Sequence, residues 1–215
     1  MSAVSRSAGV PRPGTAALER YYRLHARIYD ATRWSFLFGR REIIRALPAE
    51  LRPDSVLEVG CGTGTNLVAL ARRFPTARIT GLDASADMLA RARRRTARLG
   101  ERVSLVHRPY LAPEAPGEGF DLILFSYALS MFNPGWDAAV DVALKDLSPR
   151  GMLAVVDFEN SPLGAFRRWM GVNHVRMEGH LPPALRQRLQ PSLDRSLPAY
   201  GGLWRYLMFL GRRSA

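Results

Sequence analysis

From about residue 55 onwards, apolar residues fall into short continuous runs, separated by stretches in which they recur every three or four positions. The short runs predict five buried strands, at residues 55–59, 78–82, 103–107, 120–127 and 152–157. The intervening stretches predict helices at residues 66–74, 88–99 and 138–147. Strands and helices that alternate in this way indicate a Rossmann-like α/β fold, with a mostly parallel sheet and helices on both faces.

The C-terminal part of the chain departs from this alternation. Residues 201–212 are rich in apolar and aromatic side chains, and they predict an antiparallel closing strand, one arm of a hairpin at the sheet edge. The Pro- and Arg-rich residues 161–198 predict an irregular insertion with short helices. We therefore expect a single domain over residues 48–215, a size that one hydrophobic core can support.

The N-terminal residues carry a different pattern. Residues 1–16 combine Ser, Ala, Gly, Pro and Arg and predict a disordered tail, without the apolar stretch of a secretory signal. Residues 17–47 repeat apolar side chains at helical spacing. Within them Trp34, Phe36, Leu37 and Phe38 lie among arginines, which is typical of a helix in the headgroup layer of a membrane; a helix packed on the domain is the alternative.

The net charge of +12 indicates an anionic partner, either a nucleic acid or a membrane surface. No basic run is interleaved with aromatic residues in a nucleic-acid-binding motif, so we expect an anionic membrane and no nucleic acid. The longest apolar runs fall short of the ~20 residues that span a bilayer, so the contact should be peripheral. Cys61 is the only cysteine, which favours a reducing cytoplasm and leaves no thiol cluster for a metal.

The segment VLEVGCGTG, residues 56–64, joins the first predicted strand to the first predicted helix. Its three glycines allow a tight turn and let a ligand approach the backbone closely. Glu58 precedes them, and Asp83 ends the next strand, 19 residues after Gly64. A carboxylate at that distance can accept hydrogen bonds from ribose hydroxyls, and the E-x-G-x-G-x-G spacing differs from that of dinucleotide-binding loops. The pattern predicts a nucleoside site.

These residues resemble the class I methyltransferases, which implies S-adenosylmethionine (SAM) as the cofactor and S-adenosylhomocysteine as its product. By that resemblance Gly60 and Gly62 border the methionine part of SAM, Asp83 binds the ribose and Met88 packs near the adenine. The full set of expected cofactor-binding residues is Tyr29, Arg33, Glu58, Gly60, Cys61, Gly62, Gly64, Asn66, Asp83, Ala84, Met88, Arg108 and Ser126. The family commonly has an acidic residue after the third strand to meet the adenine, whereas this chain has HRPY at 107–110, so the adenine contacts stay open.

A narrower resemblance is carried by YYRLHARIYDATRWSFLFGR at 21–40, FSYALSM at 125–131, NHVRMEGHL at 173–181 and YGGLWRYLMFLGR at 200–212. These segments are similar to the BtaB family of SAM:diacylglycerylhomoserine N-methyltransferases. The resemblance implies successive methylation of a lipid amine to a betaine lipid, with the enzyme that makes diacylglycerylhomoserine as a further partner. Phosphatidylethanolamine N-methylation, a soluble small-molecule substrate and a non-catalytic SAM-binding module remain the alternatives.

Methyl transfer to an amine depends on positioning and desolvation, since no covalent enzyme intermediate is needed. We expect Tyr21, Tyr22, Tyr29 and Tyr127 around the acceptor nitrogen, where hydroxyls can orient the amine and rings can attract the developing cation. Core packing is the alternative for each tyrosine. In the insertion on the acceptor side, Arg176 could pair with a substrate carboxylate, and His174 or His180 could accept a proton, unless these are surface residues without a role. We expect no metal site.

Overall fold

The computed structural model describes residues 36–115, 118–172 and 174–213. They form a seven-stranded sheet in the order β3-β2-β1-β4-β5-β7-β6. The strands are β1 Ser55–Val59, β2 Arg78–Asp83, β3 Val103–His107, β4 Phe120–Ser126, β5 Leu147–Asn160, β6 Gln190–Ala199 and β7 Trp204–Arg212. Among these strands β7 alone is antiparallel to its two neighbours. The predicted α/β fold, mostly parallel with an antiparallel closing strand, is confirmed.

Helices cover both faces of the sheet. They are α1 Arg40–Arg45, α2 Thr65–Arg73, α3 Ala86–Thr96, α4 Trp136–Asp146, α5 Gly164–Val172 and α6 Leu181–Arg188, with short 3-10 turns at Ala97–Arg102, Leu129–Met131 and Tyr200–Gly202. The helices α1, α2, α3 and α5 contribute buried side chains to one core, and α4 and α6 contribute to the other. No helix in the described part of the chain is both long and apolar enough to cross a bilayer.

The alternation of side chains along β1 explains why both cores form. Val56 enters the core under α2, whereas Leu57 and Val59 enter the opposite core. Their sheet neighbours follow the same alternation, because parallel pairing places Val56 beside Leu122 and Leu57 beside Ile123. Continuous apolar runs were therefore the correct signal for strands buried on both faces.

The structure corrects the interpretation of residues 161–198. Their first part contains α5 and α6, as expected, but Gln190–Ala199 is the edge strand β6, paired with β7 with a register shift between Pro191 and Leu193. Pro191 and Pro198 argued against a strand in the sequence, because proline cannot donate to a ladder of hydrogen bonds. An edge strand tolerates proline, since one side of its backbone needs no partner strand, and Pro191 also lies at the register shift of the ladder.

The aromatic residues before α1 pack against other aromatic side chains of the domain. Phe36 stacks on Trp204 with ring centroids 5.4 Å apart, and Phe38 meets Tyr200 edge to face at 5.2 Å. The two rings thus pack on an aromatic cluster of the domain, while Phe38 is still 37% exposed. Contact of this segment with a membrane stays a prediction. The predicted tail at 1–16, the helix before residue 36 and Trp34 lie outside the described residues.

Candidate functional site

The glycine loop follows the carboxyl end of β1. Gly60, Gly62 and Gly64 have φ angles of 70°, 54° and 76°, a region that side chains with a Cβ rarely adopt. A Cβ on Gly60 would also lie 2.8 Å from the Cβ of Ala128, in the segment after β4. Glycine is therefore required at position 60 for two reasons: the backbone conformation there, and the close approach of the two loops that border the site.

Asp83 ties the end of β2 to this loop. Its Oδ2 accepts a hydrogen bond from the N–H of Gly62 at 2.8 Å, and its Oδ1 accepts one from the N–H of Ser85 at 2.8 Å. Each carboxylate oxygen carries a second lone pair, so the group can still accept hydrogen bonds from a pair of ribose hydroxyls. The predicted ribose residue thus lies beside the predicted glycine loop, held in a fixed orientation.

Glu58 and Asn66 were expected at the site separately, and the structure brings them together. The Nδ2 of Asn66, in the first turn of α2, donates to Oε1 of Glu58 at 2.8 Å, with both side chains buried. The bond connects α2 to β1 immediately beneath the loop. A buried carboxylate at this place suits a cationic group such as the ammonium of SAM, whose methionine part the sequence resemblance expects beside Gly60 and Gly62.

Two residues of the predicted set define what the site can do chemically. Burial, followed by the nearby carboxylates of Glu58 and Asp83, raises the pKa of the Cys61 thiol, which therefore stays neutral and unreactive.

Ser126 ends β4, and its buried Oγ has no hydrogen-bond partner among residues 36–115, 118–172 and 174–213. A buried hydroxyl without a partner fits a site that holds a polar ligand such as SAM.

On the side where the resemblance expects the adenine, the carbonyl of Ala84 lies 3.1 Å from Nε2 of His107, and the N–H of Met88 donates to Oγ of Ser85. Met88 is half-buried at the start of α3, where it can border a base. Arg108, in contrast, is largely exposed and forms an ion pair with Glu114. That pairing occupies the guanidinium with a protein partner, and the assignment of Arg108 as a cofactor-binding residue stays a prediction.

The sequence did not single out the residues that hold the loop after β3. Asp146 is buried at the end of α4 and accepts hydrogen bonds from the Tyr110 hydroxyl at 2.7 Å and from the N–H of Ala115 at 2.7 Å. Arg95 of α3 similarly donates to the carbonyl of Thr63 at 2.9 Å, inside the glycine loop. The residues next to Asp146 and Arg95 in the sequence form no recognisable binding motif, so no local pattern could have identified these two residues.

Tyr127 is the tyrosine of the predicted acceptor set that the structure describes; Tyr21, Tyr22, Tyr29 and the neighbouring Arg33 lie outside it. The Tyr127 ring is buried against Phe158, and its hydroxyl donates to the carbonyl of Phe38 at 2.7 Å. The hydroxyl is therefore used to hold the chain before α1. This geometry favours the core-packing alternative for Tyr127, and its contact with the acceptor nitrogen stays an untested prediction.

The structure also contains a buried carboxylate, Asp157, that the sequence analysis did not identify. Asp157 of β5 is fully buried, its Oδ2 accepts the N–H of Ser130 at 3.2 Å, and burial raises its pKa to about 6. This contact fixes the turn Leu129–Met131, which follows β4 at the carboxyl edge. Asp157 is the last residue of its predicted strand, and Asp83 likewise stands at the end of a strand. An acidic residue at a strand end was the feature of the sequence that could have identified Asp157.

Residues 174–180 lie across this turn. The N–H of Arg176 donates to the carbonyl of Ser130 at 2.8 Å, and its partly exposed side chain pairs with Glu178 at 2.7 Å. His180 packs its ring against Trp136 with centroids 4.7 Å apart, and burial, followed by Arg176, lowers its pKa. His174 is exposed. The structure thus brings Arg176 and His180 to the carboxyl edge and leaves His174 in solvent.

One further cation lies near the site. The Nε of Arg40, at the first position of α1, is buried and has no hydrogen-bond partner in the described ranges. Arg40 follows Gly39, which packs against Val156 and Tyr206. Its positive charge interacts with Tyr127, which directly precedes Ala128, the residue that lies against Gly60 of the glycine loop. No group of three or more His, Cys, Asp or Glu side chains in the described part is arranged to hold a metal ion.

Comparison with known proteins agrees with this geometry. Residues 56–151 match a family model described as a methyltransferase domain. Demethylmenaquinone methyltransferase of Thermus thermophilus is 30% identical over 168 residues, which are 78% of this chain and 70% of that protein. Trans-aconitate 2-methyltransferase of Rhodopseudomonas palustris is 35% identical over 115 residues, 54% of this chain and 42% of that enzyme. The chain thus spans less than half the length of this second relative.

Among solved structures, the N-methyltransferase NodS from Bradyrhizobium japonicum, in complex with S-adenosylhomocysteine, superposes with a TM-score of 0.68. The superposition covers 82% of this chain and 86% of NodS, at 22% sequence identity. Similarity at this level concerns the fold. The glycine loop, Asp83 and the buried Ser126 hydroxyl of this chain lie at the carboxyl edge of the parallel strands, the edge at which open α/β sheets generally bind their ligands.

Proposed function

We propose that this chain, which belongs to the class I SAM-dependent methyltransferases, N-methylates the amino group of a lipid headgroup. The acceptor we favour is diacylglycerylhomoserine, methylated successively to its trimethylated betaine form. The observation that carries the proposal is the position of Arg176, which the bond from its N–H to Ser130 holds at the carboxyl edge of the sheet with a partly exposed guanidinium. A homoserine headgroup presents a carboxylate beside its amine, and arginine pairs with carboxylates by charge-assisted hydrogen bonds.

The residues of the site suit transfer to an amine. SAM supplies an electrophilic methyl group, and the acceptor must present a neutral nitrogen with its lone pair directed at that methyl. Cys61 is a neutral thiol, so the loop offers no competing nucleophile. His180 has a lowered pKa and is therefore uncharged near neutral pH, in the form that can accept the proton that the amine loses.

Arg40 and the segment before it complete the proposed cofactor site. The guanidinium of Arg40 has a buried Nε without a partner in the described part, and SAM has one carboxylate, at its methionine end. Tyr29 and Arg33 remain proposed cofactor contacts from the sequence resemblance. Together with Glu58 on the ammonium side, a cation such as Arg40 would give the two ends of the amino-acid group opposite partners.

A second candidate is a methyltransferase for a small molecule. It is favoured by the relatives, whose names refer to demethylmenaquinone and to trans-aconitate. Trans-aconitate carries carboxylates, and Arg176 could pair with those as well as with homoserine. Membrane association separates the two candidates, since only the lipid acceptor requires it; in our proposal the enzyme is peripheral, on the cytoplasmic face, and acts beside the enzyme that makes diacylglycerylhomoserine.

Lipid analysis of a host that is supplied with diacylglycerylhomoserine and expresses the chain tests the proposal. We expect mass spectrometry to find the mono-, di- and trimethylated forms of that lipid. The matched control is a host that expresses Asp83→Ala, in which the ribose contact is lost and the three products should fall together. Unmodified diacylglycerylhomoserine alongside newly methylated phosphatidylethanolamine would assign the acceptor to the alternative lipid and contradict the proposal.

A further inference from the structure

An exposed aromatic and aliphatic surface lies on α5 and on the turn between β6 and β7. Leu163, Trp169, Val172 and Tyr200 are 51%, 54%, 80% and 53% exposed. We call these four residues the α5 surface. They are large apolar side chains gathered on one part of the fold, which a soluble protein exposes only at a cost unless another surface covers them.

The α5 surface is held rigidly by buried aromatic residues. Phe166 stacks on the fully buried Trp204 with centroids 5.5 Å apart, and it contacts the Trp169 ring at 5.7 Å. Tyr200 meets the same Trp204 at 4.9 Å. Phe166 and Met170 face inward, one helical turn apart, and Val172 lies on the opposite side of the helix. Trp169 lies beside Phe166 at the border of the inner face, with about half of its surface exposed. The outward direction of Val172 follows from the packing of the inner face.

Positive charge surrounds these apolar side chains. From Ser161 to Met177 the sequence contains three arginines and no acidic residue, and after Asp194 it contains none either. Arg167 and Arg168 of α5 are exposed, and Arg168 forms no ion pair in the described part of the chain. An apolar surface that is flanked by unneutralised arginines is complementary to anionic phosphates above a hydrocarbon layer.

The α5 surface also lies on the edge of the sheet that carries the cofactor loop. Helix α5 follows the carboxyl end of β5, which is parallel to β1 and β4. The turn with Tyr200 precedes β7, which is antiparallel to β5, so it lies at the same edge. A surface bound at this edge would place its molecules on the side from which an acceptor must approach the glycine loop.

We infer that the α5 surface docks the protein on an anionic lipid bilayer. Tryptophan and tyrosine are favoured at the level of the headgroups, the aliphatic Leu163 and Val172 suit the acyl boundary, and arginines reach phosphates. Nucleic acid would offer no apolar layer for Leu163 and Val172. The inference rests on the proposed function for its purpose, access to a lipid acceptor, but it is tested without that acceptor.

Co-sedimentation of the full chain with vesicles tests the docking. Vesicles of phosphatidylcholine alone are compared with vesicles that also contain phosphatidylglycerol; neither contains an amine acceptor of the proposed reaction. We expect binding to the anionic vesicles, weakened by salt. The triple variant Leu163→Ser, Trp169→Ser, Val172→Ser should bind at least about 10-fold more weakly, since each side chain loses apolar area that the bilayer would bury.

Two single variants are matched controls. Leu111→Ser removes an apolar side chain that is 78% exposed, in the loop after β3, and should leave vesicle binding unchanged. Arg168→Glu should weaken binding, whereas Arg93→Glu, with the same charge change on an exposed position of α3, should weaken it less. SAM affinity, measured by calorimetry, should be the same in all of these variants, which shows that each is folded.

Each of several results would overturn the docking. The parent protein could bind neither kind of vesicle, or the triple variant could bind as the parent does. A parent that dimerises without lipid, with a monomeric triple variant, would assign the surface to a second copy. A Trp169 already shielded from acrylamide without vesicles would mean that another part of the chain covers it. Vesicle binding without methylation of diacylglycerylhomoserine would contradict the proposed acceptor and leave the docking standing.

Discussion

The carboxylate of Asp83 accepts a hydrogen bond from the N–H of Gly62, with 2.8 Å between Oδ2 and the nitrogen. The bond joins the end of β2 to the glycine loop after β1, so the side chain expected to bind the ribose also holds the shape of the loop beside it. A residue that the sequence indicated as a ligand contact is therefore also part of the support for that loop.

Replacing Asp83 by alanine should weaken SAM binding by about 1–3 kcal/mol, because ribose hydroxyls lose a charged acceptor and Gly62 loses its partner. Calorimetric titration of the purified variant measures this directly. Asp87→Ala, which removes an exposed carboxylate from the first turn of α3, is the matched control and should bind SAM as the parent does. Equal affinity of the Asp83 variant and the parent would show that the ribose lies elsewhere.

Gly60→Ala should destabilise the fold and reduce SAM binding together, since the new Cβ would lie 2.8 Å from that of Ala128 at a φ of +70°. Gly100→Ala is the control for backbone strain alone, because Gly100 has a φ of +58° and open space around its would-be Cβ. Urea unfolding should give about 1 kcal/mol for Gly100→Ala and a larger loss for Gly60→Ala. Equal losses would mean that the contact with Ala128 is easily relieved.

The buried Asp157 should make stability depend on pH. Burial raises its pKa to about 6 in the folded protein, above the unfolded value, so the folded state binds a proton that the unfolded state has lost between about pH 4 and pH 6. The free energy of unfolding should therefore fall as pH rises through that window, by about 3 kcal/mol from this residue.

Urea unfolding of the parent and of Asp157→Asn at several pH values isolates this effect. His180 contributes with the opposite sign, because its lowered pKa makes stability fall as pH decreases, but it is common to both proteins. The difference between the two curves should change from about pH 4 to pH 6 and be flat above. Parallel curves would show that the Asp157 carboxylate titrates at its ordinary pKa.

Tyr127→Phe should lower the free energy of unfolding by about 1–3 kcal/mol, since the carbonyl of Phe38 loses its 2.7 Å partner in a buried place. Turnover per folded molecule should change little, because the hydroxyl donates its hydrogen bond to the Phe38 carbonyl. Thermal unfolding and saturation kinetics measured on the same preparation separate the effects. A large loss of turnover with unchanged stability would restore Tyr127 to the acceptor site.

Arg176→Gln should raise the Michaelis constant for diacylglycerylhomoserine about 10-fold and leave that for SAM unchanged, because one charge-assisted contact with the acceptor is lost. Arg186→Gln is a matched control: Arg186 is an exposed arginine of α6 paired with Asp194, as Arg176 is paired with Glu178. The two variants would behave alike if the ion pair with Glu178 were the whole role of Arg176.

The sequence predicted those parts of the fold whose determinants are local. Continuous apolar runs define strands such as Ser55–Val59, and glycine spacing with Asp83 defines the cofactor loop, because strand burial and loop curvature each need particular residues in a row. The strand β6 was missed, since the tolerance of Pro191 depends on its position at the sheet edge, which only tertiary pairing creates.

The supporting residues of the site were harder to predict for the same reason. Asp146 reaches Tyr110 across 36 positions and Arg95 reaches Thr63 across 32, so no pattern of neighbouring residues marks either contact. Tyr127 and Phe36 were placed by residue type, as aromatic groups suited to a cation or a membrane. Their partners, the Phe38 carbonyl and the Trp204 ring, are distant in sequence and become visible only in the folded chain.

The transfer of labelled methyl groups from SAM by the purified protein tests the central claim most directly. Diacylglycerylhomoserine and phosphatidylethanolamine are offered in mixed micelles, and trans-aconitate in solution, with a reaction without protein as the blank and Asp83→Ala as the variant of lowered SAM affinity. Our account predicts that label enters diacylglycerylhomoserine at the highest kcat/KM and appears in its mono-, di- and trimethylated forms. Higher kcat/KM for phosphatidylethanolamine or for trans-aconitate, with diacylglycerylhomoserine unlabelled, would contradict it.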